Sequence, residues 1–350
     1  MLLALVLVVI AATGLYLGLL ILISRHLTLR DKKAFKELKA AYSELIFEAM
    51  HDEEKSNVLF EKLNKTPKHV SIVNAICKDL LEEVEGEVEK KVEGILNHPQ
   101  IRKHYLSYLN SFNNRKKVKG LLYLKDIHTL PDDEEAEVLK LLEHRLHYLS
   151  HAGALVILAS KKSHLHEKTL IFSCKRAEDC RYTVVELLWE YWNNDFVSRE
   201  SKEKCFQSLL GSESISLEMK ALLVRIISTF NEHHFSIYFH EILKFILGTE
   251  QDSRNLSFVA SLINALGKSG YIKAEKEVIQ AFSITSKEIR IAVVNALVQF
   301  KTSNAIHELV KIYKTSTEYL KKEISFIIEH DAELTKQIIT SESTVNLLKN

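Results

Sequence analysis

Proline occurs 3 times and glycine 10 times in 350 residues. Average usage would give roughly 18 and 25. Strands and tight turns consume those residues, so their shortage excludes a turn-rich β fold and favours helices joined by short polar turns. An excess of one charge is also missing, with 47 basic against 46 acidic side chains and a net charge of +1. Nucleic-acid binders carry a basic domain or stripe, so no nucleic-acid partner is expected. Cysteine stands only at 77, 174, 180 and 205, and no two have the C-x-x-C spacing of a zinc or redox motif. Reduced, packed thiols are expected rather than a disulfide framework. The phosphate-cradling G-x-x-x-x-G-K-[ST], the dinucleotide G-x-G-x-x-G and the nucleophile elbow G-x-S-x-G are all absent. No catalytic residue, cofactor, metal or small-molecule substrate is expected.

What is present begins with a long apolar run. Met1 to Ile23 holds no charged side chain and is mostly Leu, Val, Ile and Ala. That is about the length a helix needs to cross the hydrocarbon core. A cleaved signal peptide would have a basic start and a shorter apolar stretch, and no Lys or Arg precedes Arg25. Residues 1–24 are therefore expected to be a transmembrane anchor. Arg25, Arg30, Lys32, Lys33, Lys36 and Lys39 all follow the span. The positive-inside rule puts the C-terminal side in the cytosol and the N-terminus outside. Ala11, Gly14 and Gly18 share a face of the span, and small residues at this spacing let a second membrane helix approach closely. The sequons at Asn64 and Asn255 are read as chance in that compartment.

Residues 25–56 read as a juxtamembrane amphipathic helix. Phe35, Leu38, Tyr42, Leu45, Ile46 and Met50 make one apolar stripe, expected to dock on the helices that follow. His51 to Ser56 reads as the turn that ends this helix. From 57 to 350 the pattern is helix after helix, with no linker rich in Gly, Pro or Ser, which reads as one continuous helical domain. Units centre on Val70 to Leu80, 100–130, 131–144, 146–160, 182–193, 204–210, 217–230 and 235–248. The glutamate-dense Leu81 to Val92 reads as the solvated face of a helix.

The tripeptide Asn264-Ala265-Leu266 returns 31 residues later (264 to 295) as Asn295-Ala296-Leu297. Phe258, Leu262, Ala265 and Leu266 match Ile289, Val293, Ala296 and Leu297. Val278, Ile279 and Phe282 then match Leu309, Val310 and Tyr313. A unit of two amphipathic helices that repeats cannot bury its apolar face alone, and stacks on its neighbours into a solenoid.

Helix pairs at a period of 31 to 39, with Asn-Ala-Leu closing the first helix, resemble HEAT repeats. Lys287 to Leu297 is the best match, and the resemblance is clearest over 253–316. It implies an all-α fold, here a single N-terminal transmembrane helix followed by an α-solenoid of HEAT-like helical hairpins. It also implies a role for Arg290 in tying one repeat to the next by hydrogen bonds, although Val259 stands at that position in the preceding copy. Solenoids bind along extended surfaces, so the expected function is a non-catalytic, membrane-tethered scaffold on the cytosolic side of the cell membrane. Its expected partner is a membrane-embedded protein that it holds or regulates. Proteins of this layout resemble accessory subunits of membrane enzymes such as glycosyltransferases. The alternative is a HEAT-like enzyme, of the chromophore lyase or DNA glycosylase type; the glycosylase needs a basic concave face and no anchor.

Two sets of side chains are candidates for partner binding. Arg115, Lys116 and Lys117 belong to the densest basic run of the chain beyond residue 56, set against a solvated turn as the simpler explanation. Trp189 and Trp192, clustered with Tyr191 and Tyr182, are either core or an aromatic anchor. Histidine is abundant, with 16 residues, and His144, His147 and His151 fall at helical spacing. No H-E-x-x-H or cysteine pair accompanies them, so exposed helix and turn positions explain them, as they do His233, His234 and His240. Cys174 and Cys180 lie near Lys175, Arg176 and Arg181, cations that lower a thiol pKa when they face it.

Overall fold

The computed structural model describes residues 35–66, 69–177, 181–230, 233–248 and 256–329. The anchor at 1–24 with Ala11, Gly14 and Gly18, the basic flank through Lys33, Cys180 and the Asn255 sequon lie outside them. Among the described residues no helix is long and apolar enough to cross a membrane, and no strand occurs.

Eighteen helices carry the described chain. They are α1 (35–51), α2 (Glu53–Lys65), α3 (Val70–Leu81), α4 (Glu87–Leu96), α5 (Pro99–Leu109) and α6 (Asn114–Asp126), then α7 (Asp132–Leu142), α8 (His147–Ala159), α9 (Ser163–Arg176), α10 (Arg181–Trp192), α11 (Arg199–Gly211) and α12 (Leu217–Ile227), and finally α13 (His233–Leu247), α14 (Leu256–Lys268), α15 (Glu275–Ala281), α16 (Lys287–Phe300), α17 (Ser303–Thr315) and α18 (Glu318–Glu329). Capping explains many of the starts. Side-chain oxygens of Asp52, Asn113, Ser198, Ser216, Ser286 and Thr302 accept backbone N–H groups that the first turns leave unpaired.

The chain forms two compact units, 1–138 and 139–350, and the division falls inside α7. No composition shift marks the place.

In the first unit, α1 lies on its neighbours with one stripe inward, as expected. Tyr42, Ile46 and Met50 are buried. The Tyr42 hydroxyl shares a 2.9 Å hydrogen bond with His69 Nδ1, and Lys39 reaches Asp79 at 2.5 Å. Phe35, at the start of the stripe, stays exposed. The break after α1 is the single residue Asp52, so Glu53 to Ser56 open α2 rather than forming a turn. The glutamate-dense run is solvated but is not one helix. It contains the end of α3, a bend at Gly86 with φ +74°, and the start of α4. The 100–130 unit is likewise two helices, α5 and α6, and Leu122 is exposed. Stacked Tyr105 and Tyr123 rings, 4.5 Å apart, join those two. The Tyr123 hydroxyl donates to the Leu96 carbonyl at 2.7 Å, closing off α4.

In the second unit the apolar α8 is buried from Ala152 to Ala159 and packs on α9 and α10. Asn194 Nδ2 donates to the Leu158 carbonyl at 2.6 Å and the Ser160 carbonyl at 3.1 Å, capping α8 from the end of α10. The sequence repeat has a direct counterpart further on. Helix α14 packs between α12 and α16, and α15 and α17 follow their partners. Phe258, Leu262, Ala265 and Leu266 are buried, as are Ile289, Val293, Ala296 and Leu297. Val278 and Leu309 are buried at matching positions of α15 and α17, while Tyr313 is exposed. An earlier copy of the first helix lies in α12, 39 residues upstream (219 to 258). Its Met219, Leu223, Ile226 and Ile227 are buried in the same register. Helices α14 and α16 approach closely because Gly267 faces Ala296; a Cβ on Gly267 would lie 2.6 Å from the Ala296 Cα.

Candidate functional site

The repeated register places the same helical position of α14 and α16 at the surface. Asn264 and Asn295 stand there, with Lys268 and Gln299 one turn on, and Arg225 takes the equivalent position in α12. Small residues at 267 and 296 let the helices close below them and leave a cleft of about 290 Å³ above. Its walls are the two asparagines, Lys268, Gln299 and apolar atoms of Ala296 and Val298; no carboxylate lines it. Side-chain amides donate and accept at once, so this wall suits a ligand that presents both groups, as a peptide backbone does. Asn264, Ala265, Leu266, Asn295, Ala296 and Leu297 therefore divide their roles. The Ala and Leu positions are core and the asparagines are surface.

Arg290 reaches the preceding copy through a ring rather than through a hydrogen bond at Nε. Its Nε is buried without a hydrogen-bond partner, and its guanidinium sits 5.4 Å from the Phe282 ring centroid at the end of α15. Phe282 belongs to the preceding copy, so the contact crosses from one copy to the next and is cation–π in kind.

The tryptophans separate. Trp192 stacks on Phe230 at 4.5 Å with planes 1° apart, within a group that includes Phe206 and Phe235. Lys202, buried beside it, donates to the Trp192 carbonyl at 2.6 Å, and burial lowers its ammonium pKa. Trp192 is half-buried, with one ring face covered by Phe230. Trp189 is 41 % exposed and meets Phe230 edge-on at 4.9 Å. Tyr182, 92 % exposed, is no member of this cluster.

The basic run opens α6 rather than forming a free turn. Asn113 Oδ1 caps the Arg115 N–H at 2.9 Å, Arg115 and Lys116 are exposed, and Lys117 is half-buried. The Lys116 ammonium lies 5.6 Å from the Tyr108 ring centroid of α5. Sequence reading missed Phe112, which is fully exposed at the α5–α6 tip. A count of charge sign along the chain would have pointed there, since no Asp or Glu occurs between Glu93 and Asp126.

His144, His147 and His151 do not share a helical face, because α7 ends at Leu142 and α8 starts at His147. His144 Nδ1 accepts the Leu146 N–H at 3.0 Å, and His151 pairs with Glu186 at 2.8 Å. His240 pairs with Glu277 of α15 at 2.9 Å. Among the described residues no three His, Cys, Asp or Glu side chains are grouped to hold a metal. Burial pushes the Cys77, Cys174 and Cys205 thiols up to about 12, so Lys175 and Arg176 do not activate Cys174.

No protein-family model matches the chain. No curated protein matches it.

Proposed function

We propose that the chain is a non-catalytic scaffold, tethered through residues 1–24, whose HEAT-like α-solenoid holds or regulates a membrane-embedded protein on the cytosolic side. The observation that carries this is the register row across α12, α14 and α16, which repeats its buried positions and leaves Arg225, Asn264 and Asn295 outward. Packed helices stand about 8–10 Å apart, and an extended chain advances about 3.3 Å per residue. Every third residue of an extended partner segment would meet the next helix of the row. Amides at 264 and 295 would pair with its main chain, and Lys268 with a carboxylate it carries. An apolar run with no charge before Arg25 supports the tether, and the basic flank supports its orientation. Ala11, Gly14 and Gly18 would contact the partner's membrane helix. An accessory role beside an enzyme such as a glycosyltransferase rests on likeness of layout alone.

The test is affinity capture in mild detergent with the full chain, a form lacking 1–24, and Asn264→Ala/Asn295→Ala. The full chain should enrich a membrane protein, and each altered form should enrich it less. If none of the three enriches a protein above background, the scaffold reading loses its support.

A further inference from the structure

The chain as a whole is almost neutral, yet its charge is strongly uneven. Between Glu93 and Asp126 stand Arg102, Lys103, Arg115, Lys116, Lys117, Lys119 and Lys125, with no carboxylate among them. The fold gathers this stretch into one hairpin, α5 and α6. Lys103, Arg115, Lys116 and Lys119 are exposed. Asp126, where acidic residues resume, sits at the far end of α6 in an ion pair with Lys78. The tip is therefore a one-sign surface with no internal acid to quench it. At the apex Phe112 is fully exposed between polar Ser111 and Asn113. The cations of the first turn of α6 also oppose the positive end of the helix dipole, so they gain when an anion arrives.

We propose that the α5–α6 tip docks on an anionic lipid surface, with Phe112 entering the headgroup–acyl boundary and Lys103, Arg115, Lys116 and Lys119 on lipid phosphates. A single projecting ring amid cations suits an interface that is apolar just below a layer of negative charge. A folded protein partner would call for a wider apolar surround, and the residues flanking Phe112 are polar. The phosphate backbone of duplex nucleic acid would use the cations and give the ring no apolar slot. The contact needs only the hairpin and stands apart from the tether at 1–24.

The experiment uses the full chain with Phe112→Trp, read as the difference from the unsubstituted chain, which already carries Trp189 and Trp192. Vesicles are phosphatidylcholine alone or mixed with phosphatidylglycerol, each with and without brominated acyl chains. Bromination should quench the added emission in the phosphatidylglycerol vesicles only. Raised salt should weaken the quenching. Adding Arg115→Gln, Lys116→Gln and Lys119→Gln should lower the ratio of inserted to free tip on the order of tenfold or more. Equal emission with and without bromine in the anionic vesicles overturns the proposal. So does capture by duplex DNA or polyglutamate that vesicles do not compete away. Alkaline carbonate extraction separates this from the tether. A chain that resists extraction without quenching overturns the hairpin contact alone. Quenching in a chain that carbonate releases upholds the hairpin contact and counts against the tether.

Discussion

At the scale of single residues, two glycines that look alike in sequence face opposite demands. Gly94 lies in α4 with nothing within 4 Å of where a Cβ would sit. Gly94→Ala should raise stability by about 1 kcal/mol, since glycine costs about that much in a helix interior. Gly267 meets the Ala296 Cα at 2.6 Å and its Cβ at 2.8 Å. Those atoms cannot swing aside, so Gly267→Ala should lower stability by about 1–3 kcal/mol despite the better propensity. Thermal unfolding of the two variants side by side checks this, and a stabilised Gly267→Ala would contradict the close packing of α14 on α16. The residue scale is also where sequence reading was weakest. Trp189 and Trp192 are three apart in one aromatic cluster, but Trp189 is exposed and meets Phe230 edge-on, while Trp192 is half-buried and stacks face to face on it. Neighbours distant in sequence decide that difference. Arg290 likewise depended on Phe282 being within reach.

At the scale of elements, caps and short ties hold the repeated helices in register. Thr302 caps α17 by accepting the Ala305 N–H at 3.0 Å, and its hydroxyl donates to Glu275 of α15 at 2.5 Å. Asn304 also donates to Glu275. Thr302→Val keeps the shape and removes both polar contacts, so it should cost about 1–2 kcal/mol. Faster amide exchange at 304–306 would accompany the loss. Unchanged exchange together with an unchanged unfolding midpoint would mean that the tie contributes nothing. Elements were largely legible in advance. The apolar spacing of 258–266 and 289–297 is that of a helix with a buried stripe, and those positions are buried; packing on both sides also buries neighbours such as Val259, Ala260, Val294 and Val298. Element breaks were less legible. One residue, Asp52, separates α1 from α2, and the histidines at 144, 147 and 151 straddle an interhelix turn. Local pattern continues through such breaks because polar residues suit a turn and a solvated helix face equally.

For the whole molecule, one buried imidazole, His166, and two half-buried ones, His98 and His104, tie stability to pH. Burial lowers the pKa of His98 and His104 in the first unit and of His166 in the second, below the usual 6.5. A lowered folded-state pKa means that the unfolded chain binds these protons first, so stability falls as pH drops below about 6.5. Glu277, bonded to His240, has a lowered pKa, and its contribution is lost further down, below about 4.5. Urea unfolding between neutral pH and about pH 5 should show a falling midpoint, and His166→Gln should flatten part of that fall. A midpoint that rises on acidification would contradict the desolvation of these rings.

Helical class, the 31-residue pairing and the residues that form each buried stripe follow from the sequence alone, because helical periodicity is a local property that any reader can count. Which outward faces remain open was decided only in the tertiary structure. There the close approach at Gly267 leaves a cleft between asparagines, Trp192 lays one face on Phe230, and a stretch without acids folds back on itself to put Phe112 at its tip. Exposure is set by what packs against a side chain, and those partners lie tens of residues away in the chain.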